Sequence, residues 1–320
     1  MRITRLWCEK KSLQKIVLWL AILPAVGLTG CMPKIIEETE SQADALYRQQ
    51  VIQSDHIMVE RARLHYTMRE QLGFSAGALT ANEVTELLVF VHGTPGDWRS
   101  FGQQLADRRL AARAVLVAID RPSWGGSFFE EERVETSLGE QAGLIAPLLL
   151  RLREDYPNAR LTLAGHSFGA SLVPMIAMVY PQAVDSVVVI AGDLSAEYLE
   201  EKWYNTVLAW PWVRPLLPRE ICYANDEVLA LDENIAAMSD YWSHLSVPMM
   251  VIQGTEDTLV DPRNADFAAA LKTPAGVRVE RIDGGSHLIH MAQSQRVDGL
   301  LLDWLASNFK TTNSAINSSD

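Results

Sequence analysis

Residues 165–169 read Gly-His-Ser-Phe-Gly, between the apolar run Leu161-Thr162-Leu163-Ala164 and a helix-compatible stretch beginning at Phe168. A strand that turns at once into a helix allows only one kind of corner. The residues two before and two after Ser167 nearly touch there, and hydrogen is the only side chain that fits. That accounts for Gly165 and Gly169. The corner lifts the Ser167 hydroxyl off the strand end and aims it into a cleft. A serine ahead of a helix is also an ordinary N-cap, but the paired glycines and the preceding strand favour the presented hydroxyl.

A hydroxyl is a weak nucleophile and needs a base, which in turn needs an orienting acid. Downstream, the strand pattern Met249–Gln253 leads into Gly254-Thr255-Glu256-Asp257. The alternating run Val277–Ile282 leads into Asp283-Gly284-Gly285-Ser286-His287. Ser167, Asp257 and His287 each stand just past the end of a predicted strand, and in a parallel sheet such ends share one edge. Upstream, the strand 87–91 runs into His92-Gly93-Thr94-Pro95-Gly96. Acyl transfer builds negative charge on an oxygen, and the N–H groups of Thr94 and Phe168 are the expected donors to it. Gly93 lets backbone come close to substrate.

These landmarks, with Asp120-Arg121-Pro122-Ser123-Trp124-Gly125-Gly126-Ser127, resemble the α/β-hydrolase superfamily over roughly residues 55–310. The resemblance implies Ser167 as nucleophile, His287 as base, Asp257 as its carboxylate, and Thr94 and Phe168 as oxyanion donors. It implies no metal and no organic cofactor. Asp193, after the strand 186–191, is the alternative acid, because some members of the superfamily place the acid there. Asp261-Pro262 reads as a helix N-cap followed by proline at the first helical position. His290 reads as a packed or half-exposed helix residue, and His92 and His166 as orienters of loops.

Strands are expected near 87–91, 115–119, 161–165, 186–191, 249–253 and 277–282, with edge strands around Ile57, Val59, Leu64 and Tyr66. Helices are expected over 138–156, 168–180, 264–271 and 288–309, Pro174 kinking or weakening the second. This alternation predicts an α/β fold, a mostly parallel sheet covered by helices on both faces. From 194 to 246 the rhythm stops, and four of nine tryptophans (Trp203, Trp210, Trp212 and Trp242) fall there. The superfamily places a helical cap at this position. Its aromatics either line an apolar pocket or pack the subdomain onto the core.

The first thirty residues carry Arg2, Arg5, Lys10, Lys11 and Lys15 ahead of an apolar run, Ile16 to Leu28. That run is short for a membrane span and has the anatomy of a secretory signal. It ends in Leu28-Thr29-Gly30-Cys31, which resembles a bacterial lipoprotein signal. The resemblance implies cleavage before Cys31, lipidation of its thiol, and a membrane anchor. With Met32 rather than aspartate next, it implies a Gram-negative outer membrane facing the periplasm. Residues 31–54 then read as lipidated cysteine and acidic spacer, helical near 43–51. Residues 55–309 read as the hydrolase domain and 310–320 as a disordered tail.

Cleavage at Cys31 leaves 23 basic against 39 acidic residues, which argues against nucleic acid and anionic substrates. Cys222 is the one other cysteine left after cleavage, so no intramolecular disulfide is expected. The reading is a lipid-anchored serine hydrolase acting on uncharged, moderately apolar, ester-like small molecules. Aminopeptidase-type, carbon–carbon-bond and lactone hydrolysis use the same groups. The alternative of another class is a non-catalytic binding lipoprotein; degenerate relatives usually lose a triad residue, and this chain keeps all three.

Overall fold

Each central apolar run alternates its side chains between two faces, and each face finds a helical layer. In a computed structural model of the chain, residues 32–73 and 79–307 are described. The signal-like segment, Cys31 and the tail 310–320 lie outside them. The strands are β1 (Gln53–Val59), β2 (Ala62–Arg69), β3 (Glu86–Val91), β4 (Val115–Ile119), β5 (Phe128–Phe129), β6 (Arg160–His166), β7 (Ser186–Ile190), β8 (Met249–Gly254) and β9 (Val277–Ile282). Their order is β1-β2-β4-β3-β6-β7-β8-β9, with β5 pairing β2. From β4 to β9 every pairing is parallel, while β2 is antiparallel to β1, β4 and β5.

The helices are α1 (Met32–Arg48), α2 (Gly102–Ala106), α3 (Arg108–Arg113), α4 (Leu138–Asp155), α5 (Phe168–Val179), α6 (Trp203–Leu208), α7 (Arg219–Met238), α8 (Asn264–Ala270), α9 (Ile289–Ala292) and α10 (Ser294–Ala306). On one face Leu87, Val89, Val117, Leu163 and Val189 pack with Ile145 and Leu149 of α4 and Leu172 and Ile176 of α5. On the other, Leu88, Phe90, Leu116, Val188 and Ile252 pack with Leu105 of α2, Leu110 of α3 and Val297, Leu301 and Trp304 of α10. Each fully buried aliphatic side chain contributes about 1.5–3 kcal/mol. Burial on both faces, rather than strand propensity, is what holds the parallel strands in register.

Five expectations are corrected. The acidic stretch 31–54 is no loose spacer where it is described: α1 docks on the domain, with Thr39 and Ala43 fully buried. Gln103 Nε2 donates to Thr39 Oγ1 at 3.0 Å, and the Tyr47 and Trp98 rings lie 6.4 Å apart. β2 is an interior strand, whereas β1 forms the edge. The expected single helix 288–309 is broken at Gln293, whose φ of −125° and ψ of 41° leave the helical region. Ile289 and His290 on the short α9 are fully buried, Ile289 in the same core as Val297 and Leu301 of α10. Asp261 accepts from the Arg263 N–H at 2.8 Å in the turn before α8, but the helix itself begins only at Asn264. Pro174 does not end α5, which continues through it within an almost wholly buried environment.

The segment between β7 and β8 is helical throughout its regular parts. Leu231, Ile235 and Met238 of α7, with Trp242 and Leu245, join the same core as α4 and α5. Trp242 therefore packs, its ring 6.1 Å from Phe267. Trp203, Trp210 and Trp212 remain exposed.

Candidate active site

Ser167 follows the last residue of β6 and precedes the first of α5. Its φ of 55° and ψ of −123° are costly for a residue with a Cβ, of order 1–3 kcal/mol. The surroundings enforce that backbone. A methyl group at Gly165 would collide with the Gly169 carbonyl oxygen, and one at Gly169 with the Val91 carbonyl oxygen of β3. The corner is thus clamped against the neighbouring strand as well as against itself.

His287 Nε2 lies 3.0 Å from Ser167 Oγ, and His287 Nδ1 lies 2.9 Å from Asp257 Oδ2. Asp257 Oδ1 accepts from the Leu259 and Val260 N–H groups at 2.9 Å each, and Gln253 Nε2 donates to Oδ2 at 3.2 Å. Burial raises the Asp257 pKa, but the His287 ring and the two backbone donors outweigh it and hold the carboxyl below the usual range. It is a carboxylate that fixes the proton of His287 on Nδ1 and leaves Nε2 free to accept from the serine.

The loops carrying acid and imidazole are laced together. Thr255 N–H donates to the Ile282 carbonyl at 3.0 Å and Glu256 N–H to that of Gly285 at 2.9 Å. Gly284 N–H donates to Thr255 Oγ1 at 3.0 Å, and Gly254 touches the Gly285 backbone so closely that a methyl group there would collide. His166 Nε2 adds a bond to the His287 carbonyl at 3.0 Å.

Asp193 is brought near but not into this chain of bonds. Its carboxyl accepts from Asn264 Nδ2 at 3.3 Å, and burial pushes it up to about 7. His290 is fully buried, its ring centroid 3.9 Å from that of His166, and burial pushes it down to about 3. His166 is likewise driven well below the ordinary histidine value by burial. Both rings are neutral near pH 7 and unsuited to compete with His287.

The second loop, after β3, approaches from the other side. A methyl group on Gly93 would stand 2.8 Å from Ser167 Cβ, so the Gly93 backbone packs closely against Ser167. His92 Nδ1 donates to the Gly93 carbonyl at 2.7 Å, and its Nε2 accepts from the Arg121 N–H at 3.0 Å. Burial, aided by Arg121, lowers the His92 pKa to about 3, so this tautomer is neutral and fixed. Phe168 is the first residue of α5, and its N–H has no helical acceptor one turn back. Together, an oriented base, a presented hydroxyl and a close-packed loop suit the attack of Ser167 on a carbonyl carbon.

Three further residues escaped sequence reasoning. Gln253 supports the acid from within β8. Arg121 and Glu227 form an ion pair with both side chains wholly buried, Nη1 to Oε1 at 2.6 Å and Nη2 to Oε2 at 2.9 Å. Arg121 sits inside the Asp120–Ser127 landmark, but nothing local points to a partner on α7.

A model of the alpha/beta hydrolase family matches residues 88–299. The chain is 24% identical over 250 residues to Protein ABHD8 of Homo sapiens, covering 68% of this chain and 55% of that protein. It therefore spans about half the length of the relatives it matches. The enol-lactonase from Burkholderia xenovorans LB400 has a similar structure, with a TM-score of 0.59 and 18% identity over 79% of this chain and all of that one. A membrane phospholipase A described as a bacterial virulence factor gives a TM-score of 0.56 and 19% identity, covering 92% of this chain and 99% of that one. Epoxide hydrolase VrEH1 from Vigna radiata gives 0.57 and 15%, covering 80% and 98%.

Proposed function

The chain belongs to the alpha/beta hydrolase family, and on that premise we propose that it is a serine hydrolase cleaving uncharged carboxylic esters through an acyl-enzyme. The observation that carries this reading is the continuous path Ser167 Oγ, His287 and Asp257, with contacts of 3.0 and 2.9 Å. Ser167 attacks the carbonyl carbon as His287 Nε2 takes its proton. The tetrahedral oxyanion receives the N–H groups of Thr94 and Phe168, and Asp257 stabilises the imidazolium. His287 then protonates the departing alkoxide. Water enters, loses a proton to His287 as it attacks the acyl carbon, and the acid departs as His287 returns that proton to Ser167 Oγ.

A formal charge of −12 over the full sequence favours substrates without negative charge. Similar solved structures include one named an enol-lactonase and one named a membrane phospholipase A, names that favour an ester over an amide. A panel of chromogenic esters, lactones and aminoacyl amides tests the reading. Turnover of esters that Ser167→Ala abolishes supports it; turnover confined to amides, or unaffected by the substitution, overturns it.

The signal-like start and Leu28-Thr29-Gly30-Cys31 support attachment to an outer membrane through lipid on Cys31. Two or more acyl chains make such attachment stable. No helix among the described residues is long and apolar enough to cross a membrane. Cys31→Ser is expected to move the protein from the membrane fraction to the soluble one, and an unchanged distribution removes the anchor.

A further inference from the structure

Arg121 uses all five of its side-chain N–H donors. Nε donates to the His92 carbonyl at 2.9 Å, and Nη1 to Gln141 Oε1 at 3.0 Å and Glu227 Oε1 at 2.6 Å. Nη2 donates to the Gly93 carbonyl at 3.0 Å and to Glu227 Oε2 at 2.9 Å. The guanidinium carbon also stands 4.4 Å from the centre of the Phe168 ring. Trp124 Nε1 and Gln141 Nε2 each donate to Glu227 Oε1 at 3.1 Å, so the carboxylate accepts four hydrogen bonds, three of them on Oε1.

One guanidinium thus touches the peptide that carries the Thr94 N–H, at its Gly93 carbonyl, and the side chain of Phe168, whose N–H is the other expected oxyanion donor. The Gly93 carbonyl receives two hydrogen bonds, from Arg121 and from His92 Nδ1. In a trans peptide the C=O and the following N–H point in opposite directions. Holding the Gly93 oxygen toward Arg121 therefore aims the Thr94 N–H away from it and prevents the peptide from rotating. On the other side, the cation lies against the Phe168 ring and restrains the residue that carries the second donor. Glu227 belongs to α7, in the segment between β7 and β8, so the carboxylate fixing this guanidinium comes from the cap.

A buried ion pair is a poor device for stability alone, since apolar residues of equal volume do as well or better. Its geometric precision is what an apolar pair lacks. We propose that Arg121 and Glu227 are positioning residues for the oxyanion site, through which docking of the cap helix sets the orientation of the Gly93–Thr94 peptide and of Phe168. The proposal rests on the acyl-transfer reading above. Neither residue touches the substrate. Lysine at 121 keeps the charge but loses the planar fork, and glutamine at 227 keeps the shape but loses the charge and one acceptor.

The test uses the full chain with Arg121→Lys, Glu227→Gln and the double variant, assayed on p-nitrophenyl butyrate across pH and melted thermally. Each single variant is expected to lose about 10- to 100-fold in kcat, because small misplacement of reacting groups costs that much. KM stays within about threefold, and the double variant is no worse than the more damaged single, as for residues acting as a unit. The apparent pKa of kcat/KM is unchanged, since His287 and Asp257 are not disturbed. Unchanged kcat in a folded variant overturns the proposal, as does a rise in KM alone. If Arg121→Lys does not fold, the near-isosteric Glu227→Gln decides; failure of both to melt cooperatively makes the pair a stability element and also overturns it. An inactive wild type removes the acyl-transfer reading and this proposal with it, whereas an active wild type with unaltered variants removes this proposal alone.

Discussion

His287 Nε2 and Ser167 Oγ stand 3.0 Å apart although 120 residues separate them in the chain. The contact exists because β6 and β9 end on the same sheet edge and because two hydrogen-bonded loops carry the imidazole back across β7 and β8. Neither side chain can drift far. Ser167 is fixed by a glycine-clamped corner, and His287 by Asp257 and by its own carbonyl's bond to His166.

Two acids beside one imidazole are separated by substitution. Asp257→Asn removes the carboxylate that selects the tautomer and is expected to lower kcat by about 10⁴. Asp193→Asn is expected to stay within about tenfold of wild type, because Asp193 bonds to Asn264 instead of to the ring. Steady-state kinetics of both variants check this, and equal losses would contradict it.

The approach of the β3 loop gives a second expectation. Gly93→Ala places a methyl group 2.8 Å from Ser167 Cβ and 3.3 Å from His166 Nδ1. The loop must retreat, so kcat falls by about 10²-fold while circular dichroism stays that of the wild type. Full activity in the alanine variant would show that the loop and Ser167 are less tightly coupled than their close approach implies.

Asp298 governs a pH effect on stability away from the site. Burial pushes its carboxyl up to about 7 from the ordinary value of 3.8, Gln104 opposing and Asp107 adding to the rise. Between those values the folded state holds a proton that the unfolded state has released, so stability falls as pH rises through the window. Asp298→Asn keeps an acceptor for Gln104 Nε2, now 2.9 Å from Oδ1. It is expected to raise stability at pH 8 and to flatten the slope from pH 5 to 8 in urea titrations.

The docked helix α1 supplies a fourth. Gly102 lies against it, and a methyl group there would collide with the Thr39 carbonyl oxygen and stand 2.9 Å from Ala43 Cβ. Gly102→Val is expected to cost about 1–3 kcal/mol by overpacking, read as a lowered melting temperature with the kcat of wild type. An unchanged melting temperature would mean that α1 contributes nothing to the fold.

The parts legible in the sequence are those set by local sterics and period. The strands at 87–91 and 115–119 stand out because apolar residues facing two helical layers leave no polar interruption, and that at 277–282 because apolar and polar residues alternate along a half-covered edge. The corner at Ser167 stands out because only glycine fits on either side. What stayed hidden depends on distant partners. Among the residues of α1 whose side chains are described, only Thr39 and Ala43 are fully buried, too few to mark a docked face within an acidic stretch. The pairing of Arg121 with Glu227 spans 106 residues without any local pattern, and the backbone of Gln293 bends for packing reasons no propensity records.

The account stands or falls on whether Ser167 is a nucleophile in the folded protein. Treatment with a fluorophosphonate, followed by mass-spectrometric mapping of the adduct, measures this directly. Stoichiometric labelling at Ser167, lost in Ser167→Ala and slowed by orders of magnitude in His287→Ala, is the predicted result. A folded wild type that takes up no label, or takes it up on another residue, contradicts it.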